Sequence, residues 1–342
     1  MPLDTTVIAA SPLRVRSLRQ LLAEQFPPRE FLLAPVLREG ESMMLWAPPG
    51  VGKTMLLLSA ALAIAGGGEL LGWKAARPWR VLAVDGEMAV EDLQDRLRLL
   101  APTVAGMDAE AAAENLCVLA RSDQQPGAKF PDIASDEGQE TVLRLAQEHR
   151  ADLVLLDNFA TLAEVADENE AGAMNPVLAF LLRLKQARIA CILVHHSGKT
   201  GESYRGSSKL ATTFEVILGL KPPTASGAAQ SAAFTTVWSK FRGAPHPTIA
   251  PRDVMLTTSE AGTMRWDVQA AADDDARKYT EAVLSGAFGT QAEVAKALGW
   301  DTSKASRTKA KAIGRKLLTE RQQEEVFKAA REVCRAEGPE EF

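Results

Sequence analysis

Ala47-Pro-Pro-Gly-Val-Gly-Lys53-Thr54 lies between an apolar, strand-like run, Met43-Met44-Leu45-Trp46, and a long apolar helical segment that begins near Met55. Strand, glycine-rich turn and helix in that order form the setting of a phosphate-binding loop. Gly50 and Gly52 let successive backbone N–H groups curl round a β-phosphate, Lys53 reaches the β- and γ-oxygens, and the Thr54 hydroxyl is placed as a Mg²⁺ ligand. The positive end of the following helix adds to the attraction for phosphate. Pro49, Gly50, Val51, Gly52, Lys53, Thr54 and Met55 are therefore the expected ATP-binding residues. Ala47 stands where the G-x-x-x-x-G-K-[ST] pattern has its first glycine, a position that asks for a small side chain more than for glycine.

The chain has 342 residues, room for two domains, one of them large enough for an α/β core. A formal charge of −5 argues against a globally basic nucleic-acid coat and leaves local patches open. The three cysteines, Cys117, Cys191 and Cys334, have no metal-ligand spacing and read as reduced thiols. The N-terminus lacks a basic segment followed by an apolar one, and the most apolar run, Met55 to Ala65, stops at Gly66-Gly67-Gly68. A cytoplasmic protein without a membrane span is expected.

Residues 1–38 read as a proline-punctuated arm whose stretch Leu18 to Phe26 packs on the core or on a neighbour. From there to about residue 270, apolar runs alternate with helical periodicity. Met43–Trp46, Val81–Val84, Leu116–Leu119, Leu153–Leu156 and Cys191–Val194 read as parallel strands, separated by helices at Met55–Ala65, Leu93–Leu100, Thr141–Glu148 and Val177–Gln186. Val216–Leu220, Ala233–Trp238, Val254–Thr257 and Met264–Val268 read as an antiparallel extension, with a hairpin loop at 221–231 and a linker at 270–275. The expected fold is an α/β P-loop core with a mostly parallel sheet (39–270), a small helical domain (276–321) and a charged C-terminal tail (322–342).

Leu153-Val-Leu-Leu-Asp157 has the Walker B pattern, an aspartate closing an apolar strand. Burying that charge unpaired is costly, and holding Mg²⁺ offsets the cost; capping the next helix is the plainer alternative. Asn158 follows it, not a second acid, so the water-activating base must come from elsewhere. Glu87, in Val84-Asp-Gly-Glu87, would project from the same sheet edge as the phosphates and orient the attacking water. Asp85 is its rival, and both could merely cap the helix containing Leu93.

These motifs, with Arg29-Glu-Phe-Leu-Leu, Ala166-Asp-Glu-Asn169, Val194-His-His-Ser-Gly-Lys199, Arg205-Gly-Ser-Ser208 and Ser239-Lys-Phe-Arg-Gly-Ala-Pro245, resemble the RecA-fold ATPases closest to RepA-type plasmid replicative helicases. These are hexameric ring motors related to DnaB and RecA. The resemblance spans residues 29 to about 247. It implies that His196 senses the γ-phosphate and that Arg205 is an arginine finger inserted into the adjacent subunit's site, where its planar charged fork suits γ-phosphate oxygens. It also implies a second trans-acting pair, Lys240 and Arg242, which two-residue spacing puts on one side of a strand. A ring or filament follows if either arginine acts in trans. A recombination or repair ATPase of the RecA/RadA kind, and a nucleotide-dependent regulatory or defence switch, are the alternative readings.

The resemblance places the loops after the Walker B strand and after the histidine strand at a central DNA channel. The second, with Lys199 and Tyr204 among small residues, suits backbone tracking on single-stranded DNA. Asp167-Glu-Asn169 in the first suits a subunit interface instead. Residues 277–321 carry ten Lys/Arg against four Asp/Glu. Within them, Gln291 to Gly299 and Asp301 onward have helix-turn-helix spacing. The second helix would present Lys304, Arg307, Lys311 and Arg315 to DNA. A winged-helix protein-docking module or a solvated helix face is the alternative.

Overall fold

The computed structural model describes residues 13–165, 172, 174–198, 210–222, 232–259, 262–271, 274–314 and 317–336. A helix α1 (Leu18–Ala23) precedes a two-stranded ribbon of β1 (Phe31–Leu33) and β2 (Leu37–Arg38). Strand β3 (Ser42–Ala47) leads through the glycine-rich turn into α2 (Lys53–Gly66). A second ribbon, β4 (Glu69–Leu70) and β5 (Trp73–Lys74), precedes β6 (Val81–Asp85), α3 (Val90–Leu100), α4 (Ala109–Asn115) and β7 (Leu116–Ala120). Then come α5 (Asp136–Glu148), β8 (Leu153–Asp157), α6 (Phe159–Leu162), α7 (Asn175–Gln186), β9 (Ala190–His196) and α8 (Leu210–Thr213). Four more strands follow: β10 (Val216–Lys221), β11 (Ala232–Phe241), β12 (Arg252–Thr258) and β13 (Met264–Ala270). The described chain ends in the helices α9 (Asp274–Leu284), α10 (Gln291–Ala297), α11 (Thr302–Gly314) and α12 (Glu320–Ala336).

The main sheet runs β13-β12-β11-β10-β3-β9-β8-β6-β7. The strands from β10 to β7 in that order pair in parallel, and β11, β12 and β13 extend the sheet antiparallel from β10. This is the α/β, mostly parallel sheet expected from the alternation of apolar runs. Both faces of the parallel part are covered, so β3, β6 and β8 are buried at every residue and read as unbroken apolar runs. Helix α2 is buried from Leu56 to Gly66, and apolar residues on all its sides match a helix enclosed in a core. Trp266 of β13 donates its indole N–H to Ser59 of α2 at 3.1 Å, fixing the antiparallel extension against that helix.

The expected arm 1–38 ends earlier, because β1 and β2 bury Leu32, Leu33, Val36 and Leu37 in the main core, and helix starts also differ from the expectation. Helix α5 begins at Asp136, because Ser135 caps it by accepting from the Gly138 N–H, whereas its polar first turn carries no apolar periodicity. Helix α4, Ala-Glu-Ala-Ala-Ala-Glu-Asn, was not foreseen; alanine gives little amphipathic signal, and the Asp108 cap supplies its start. Helix α1 does not pack on the core as one expected option had it: none of its residues is buried, and Leu18 and Leu22 are 70% and 76% exposed.

The C-terminal helices have a core of their own, Ala276, Tyr279, Val283, Val294, Ala312, Leu318 and Phe327. Two expected boundaries change as a result. The linker at 270–275 is shorter, since Asp274 already begins α9, and the cut at 321/322 falls inside α12. Phe327 joins the shared core and the Tyr279 hydroxyl donates to Gln323 at 3.1 Å, so α12 belongs to the helical unit. No strand occurs among the described residues of 274–336, so the winged variant of the helix-turn-helix is not what they form.

Candidate functional site

Parallel strands deliver their C-terminal ends to one edge, and the register decides which residues meet there. Asp85 of β6 stands opposite Asp157 of β8, and Ala47 of β3 stands opposite His196 of β9. The turn after Ala47 needs Gly52, whose φ of +112° is left-handed and whose missing Cβ would lie 2.4 Å from that of Ala232. A cleft of about 550 Å³ opens at this edge, lined by Pro49, Gly50, Gly52, Lys53, Thr54, Met55, Glu87, Asp157, Asn158 and His196 from the parallel core. Val51 is buried beneath the loop and contributes to the core.

Lys53 is 9% exposed and donates to the carbonyl oxygens of Ala47 and Pro48, both at 3.1 Å. Burial pulls its pKa below the ordinary lysine value, opposed by the charges of Asp157 and Glu87. The Thr54 hydroxyl donates to an Asp157 carboxylate oxygen at 3.2 Å. The Asp157 pKa is pushed up to about 6, first by burial and then by the charge of Asp85, against the pull of Thr54 and Lys53. A buried carboxylate that its protein neighbours fail to hold in the ordinary range, bonded to a threonine hydroxyl, is a hard-oxygen pair that fits Mg²⁺. Among the described residues no group of three or more His, Cys, Asp or Glu could hold a metal ion.

The two acidic rivals separate. One oxygen of the buried Asp85 accepts the backbone N–H groups of Glu87 at 2.9 Å and Met88 at 2.6 Å, so it caps the turn after β6. Glu87 is exposed and turned to the cleft, where its carboxylate accepts from the Asn158 amide at 2.6 Å. Asn158 is 2% exposed, and its other amide atom accepts the Thr161 N–H at 3.3 Å, capping α6. The sequence reading passed over Asn158 because it is not an acid; its position directly after Asp157 was the available signal. Arg96 and Leu99 of α3, and Met264 of β13, also line the cleft unforeseen. Arg96 further borders an adjoining chamber of about 240 Å³ with Asp85, Asp92 and Asp157. Only the placement of α3 over the sheet edge, and of β13 far along the chain, brings these residues in.

Lys240, near the end of β11, and Arg242, just past it, both donate to the Thr212 carbonyl, at 3.5 and 3.3 Å. Arg242 also pairs with the buried Glu215 at 3.5 Å. Neither lines the cleft of its own chain. Burial and the neighbouring Arg242 lower the Lys240 pKa. Lys199, Tyr204, Arg205, Arg315 and the 166–169 element lie outside the described residues. Arg307 and Lys311 are exposed on α11, but Lys304 pairs with Asp275 at 3.1 Å and lies 4.5 Å over the Trp300 ring. No helix among the described residues is long and apolar enough to cross a membrane.

A family model described as an AAA domain matches residues 9–202. The chain is similar to the DNA repair protein RadA of Brucella abortus (strain 2308), 26% identical over 169 residues, which is 48% of this chain and 30% of that protein. It thus spans under a third of that relative's length. Among solved structures it is similar to a KaiC-like protein of the hyperthermophilic archaeon Pyrococcus horikoshii OT3. That likeness is 15% identical, covers 68% of this chain and 93% of the other, and has a TM-score of 0.47. The family match contains the parallel-strand ends at the cleft from Ala47 to His196, though not Met264 of β13, and covers more than half the chain, which therefore belongs to the AAA domain family of P-loop ATPases.

Proposed function

We propose that this chain is an ATP-hydrolysing DNA motor that works as a ring, a replicative helicase of a plasmid, phage or mobile element. The convergence of Lys53, Thr54, Glu87, Asp157 and His196 on one cleft carries the hydrolytic part. Lys53 and the loop amides hold the phosphates. Thr54 and Asp157 would hold a magnesium ion, which would supply charge neutralisation at the phosphates. Glu87, held by Asn158, orients and deprotonates the attacking water. His196, one strand from the loop, reports the γ-phosphate to the segment that follows β9. Arg205, Lys240 and Arg242 act on the adjacent subunit's nucleotide, and Lys199 and Tyr204 contact single-stranded DNA.

A second reading has one observation in its favour. The similarity to a DNA repair protein supports an ATPase that remodels DNA without unwinding it. ATP-dependent unwinding of a forked duplex, with Lys53→Ala as the blank, separates the two. Unwinding lost in that variant supports the helicase; DNA-stimulated hydrolysis without unwinding moves the assignment to the repair reading.

A further inference from the structure

The helices α9 to α12 use nothing from the nucleotide cleft, yet they concentrate positive charge on a chain that is negative overall. Helix α10 starts under a Thr290 cap, whose hydroxyl accepts the Glu293 N–H, and ends at Ala297, after which Gly299 turns the chain with a left-handed φ of +68°. Asp301 then starts α11 by accepting the Lys304 N–H at 2.7 Å. The Gln291 amide donates to Ser306 at 3.0 Å, tying the start of α10 to α11. Helix, left-handed glycine turn and helix are the helix-turn-helix arrangement.

Burial divides α11 into two faces. Ala305, Thr308 and Ala312 point into the unit, and Lys304 is engaged with Asp275 and Trp300. The opposite face presents Ser303, Arg307, Ala310 and Lys311, all exposed, with Ser306 at its edge against Gln291. Neither the Arg307 nor the Lys311 side chain bonds to a described residue. Two free cations one turn apart, rising from short side chains, leave a low ridge that another molecule can approach closely. Thirteen residues at 1.5 Å each give a rod about 20 Å long, and a B-form major groove about 12 Å wide admits such a helix.

We propose that the outer face of α11, with Arg307 and Lys311, is a binding site for double-stranded DNA that seats α11 in the major groove. Charge selects a polyanion: α11 (302–314) carries four Lys/Arg and no Asp/Glu, within a helical unit (274–336) of thirteen Lys/Arg against nine Asp/Glu. Shape selects duplex DNA over duplex RNA, whose A-form major groove is too deep and narrow for a helix. The site anchors the chain to duplex independently of the single-strand contacts assigned to the motor. It rests on the DNA-motor reading for its use and not for its chemistry.

The test is fluorescence anisotropy of the full chain on a mixed-sequence duplex DNA across a salt series, beside duplex RNA of the same sequence. Loss of two phosphate-reaching cations in Arg307→Ala/Lys311→Ala should weaken duplex DNA binding at least tenfold and lower the salt slope by about 2. Nucleotide hydrolysis without DNA should stay unchanged in that variant, and Ala310→Glu, which puts a carboxylate on the same ridge, should weaken binding in the same direction. Lys53→Ala should bind duplex as wild type does, so a failed ATPase reading leaves this result standing. Wild-type duplex affinity in both α11 variants, equal affinity for duplex RNA, or no duplex binding by the wild-type chain would each overturn the proposal.

Discussion

Replacing Asn158 by aspartate keeps the side chain's shape and its cap on α6, since an oxygen still faces the Thr161 N–H. What changes is the group at 2.6 Å from the Glu87 carboxylate: an N–H donor becomes a second carboxylate oxygen. The lost bond is charge-assisted, and such bonds contribute about 1.5–3 kcal/mol. Two carboxylates relaxed to about 4 Å repel by about 4 kcal/mol at an effective dielectric of 20, enough to keep one proton on the pair at pH 7. A base that carries a proton, or is no longer held to the cleft, cannot take one from water. At ~1.4 kcal/mol per decade, the bond alone predicts a fall in kcat of about 10–100-fold at pH 7. KM for ATP should stay within about twofold of wild type, because the phosphate-binding loop is untouched. The repulsion adds a second signature, since the acid limb of the pH–rate profile should move to higher pH and part of the activity should return above pH 8. Steady-state hydrolysis by Asn158→Asp and wild type from pH 6 to 9 measures both. A wild-type kcat with an unmoved acid limb would refute the claim that Asn158 positions Glu87.

Glu87→Gln should keep nucleotide binding by equilibrium titration while hydrolysis falls by about 10²–10⁴, the usual contribution of a general base; substantial turnover would remove Glu87 from that role. Arg205→Ala should also lose hydrolysis, yet recover part of it when mixed with Lys53→Ala subunits, each variant supplying what the other lacks. A mixture no better than its components would sink the trans-acting finger. Because the folded Asp157 pKa is raised to about 6 from the ordinary carboxylate value, the native state binds the proton more tightly than the unfolded chain. Stability of the metal-free protein should therefore be greatest below about pH 4 for this group and fall by at most ~3 kcal/mol as pH rises to 6. Asp157→Asn should lack that fall in urea unfolding at pH 5 and 7.5 and lose Mg²⁺-dependent hydrolysis. Identical pH dependence in both proteins would contradict the desolvation of Asp157.

The strands of the main sheet and the phosphate-binding loop were readable because each is specified by neighbours in sequence, whereas the short ribbons β1–β2 and β4–β5 were not foreseen. An apolar run of four or five residues, ended by Asp at 85 and 157, admits few other structures in an alternating chain, and the glycines at 50 and 52 have little other use. Helix starts were less legible, since caps such as Ser135 and Asp108 lie outside the apolar periodicity. The roles of Asp85 and Glu87 could not be separated by sequence, because both are acids at a strand end. The turn geometry spends one oxygen of Asp85 on two backbone N–H groups and leaves Glu87 at the cleft. Lys304, legible as one more cation on a basic helix, is instead committed to Asp275 and Trp300.

By itself the sequence determined that this chain builds a parallel α/β sheet carrying a phosphate-binding loop, an Asp-ended strand and a separate basic helical unit, for these follow from residue type at short spacing. Only the tertiary structure decided that Asn158 holds Glu87 across 71 positions, that Arg96 and Met264 face the nucleotide cleft, and which cations of α11 remain open to a partner. The reason is physical. Contacts between distant residues depend on strand order and register, and the strand β9, inserted between β3 and β8, sets distances across the cleft that no local spacing encodes.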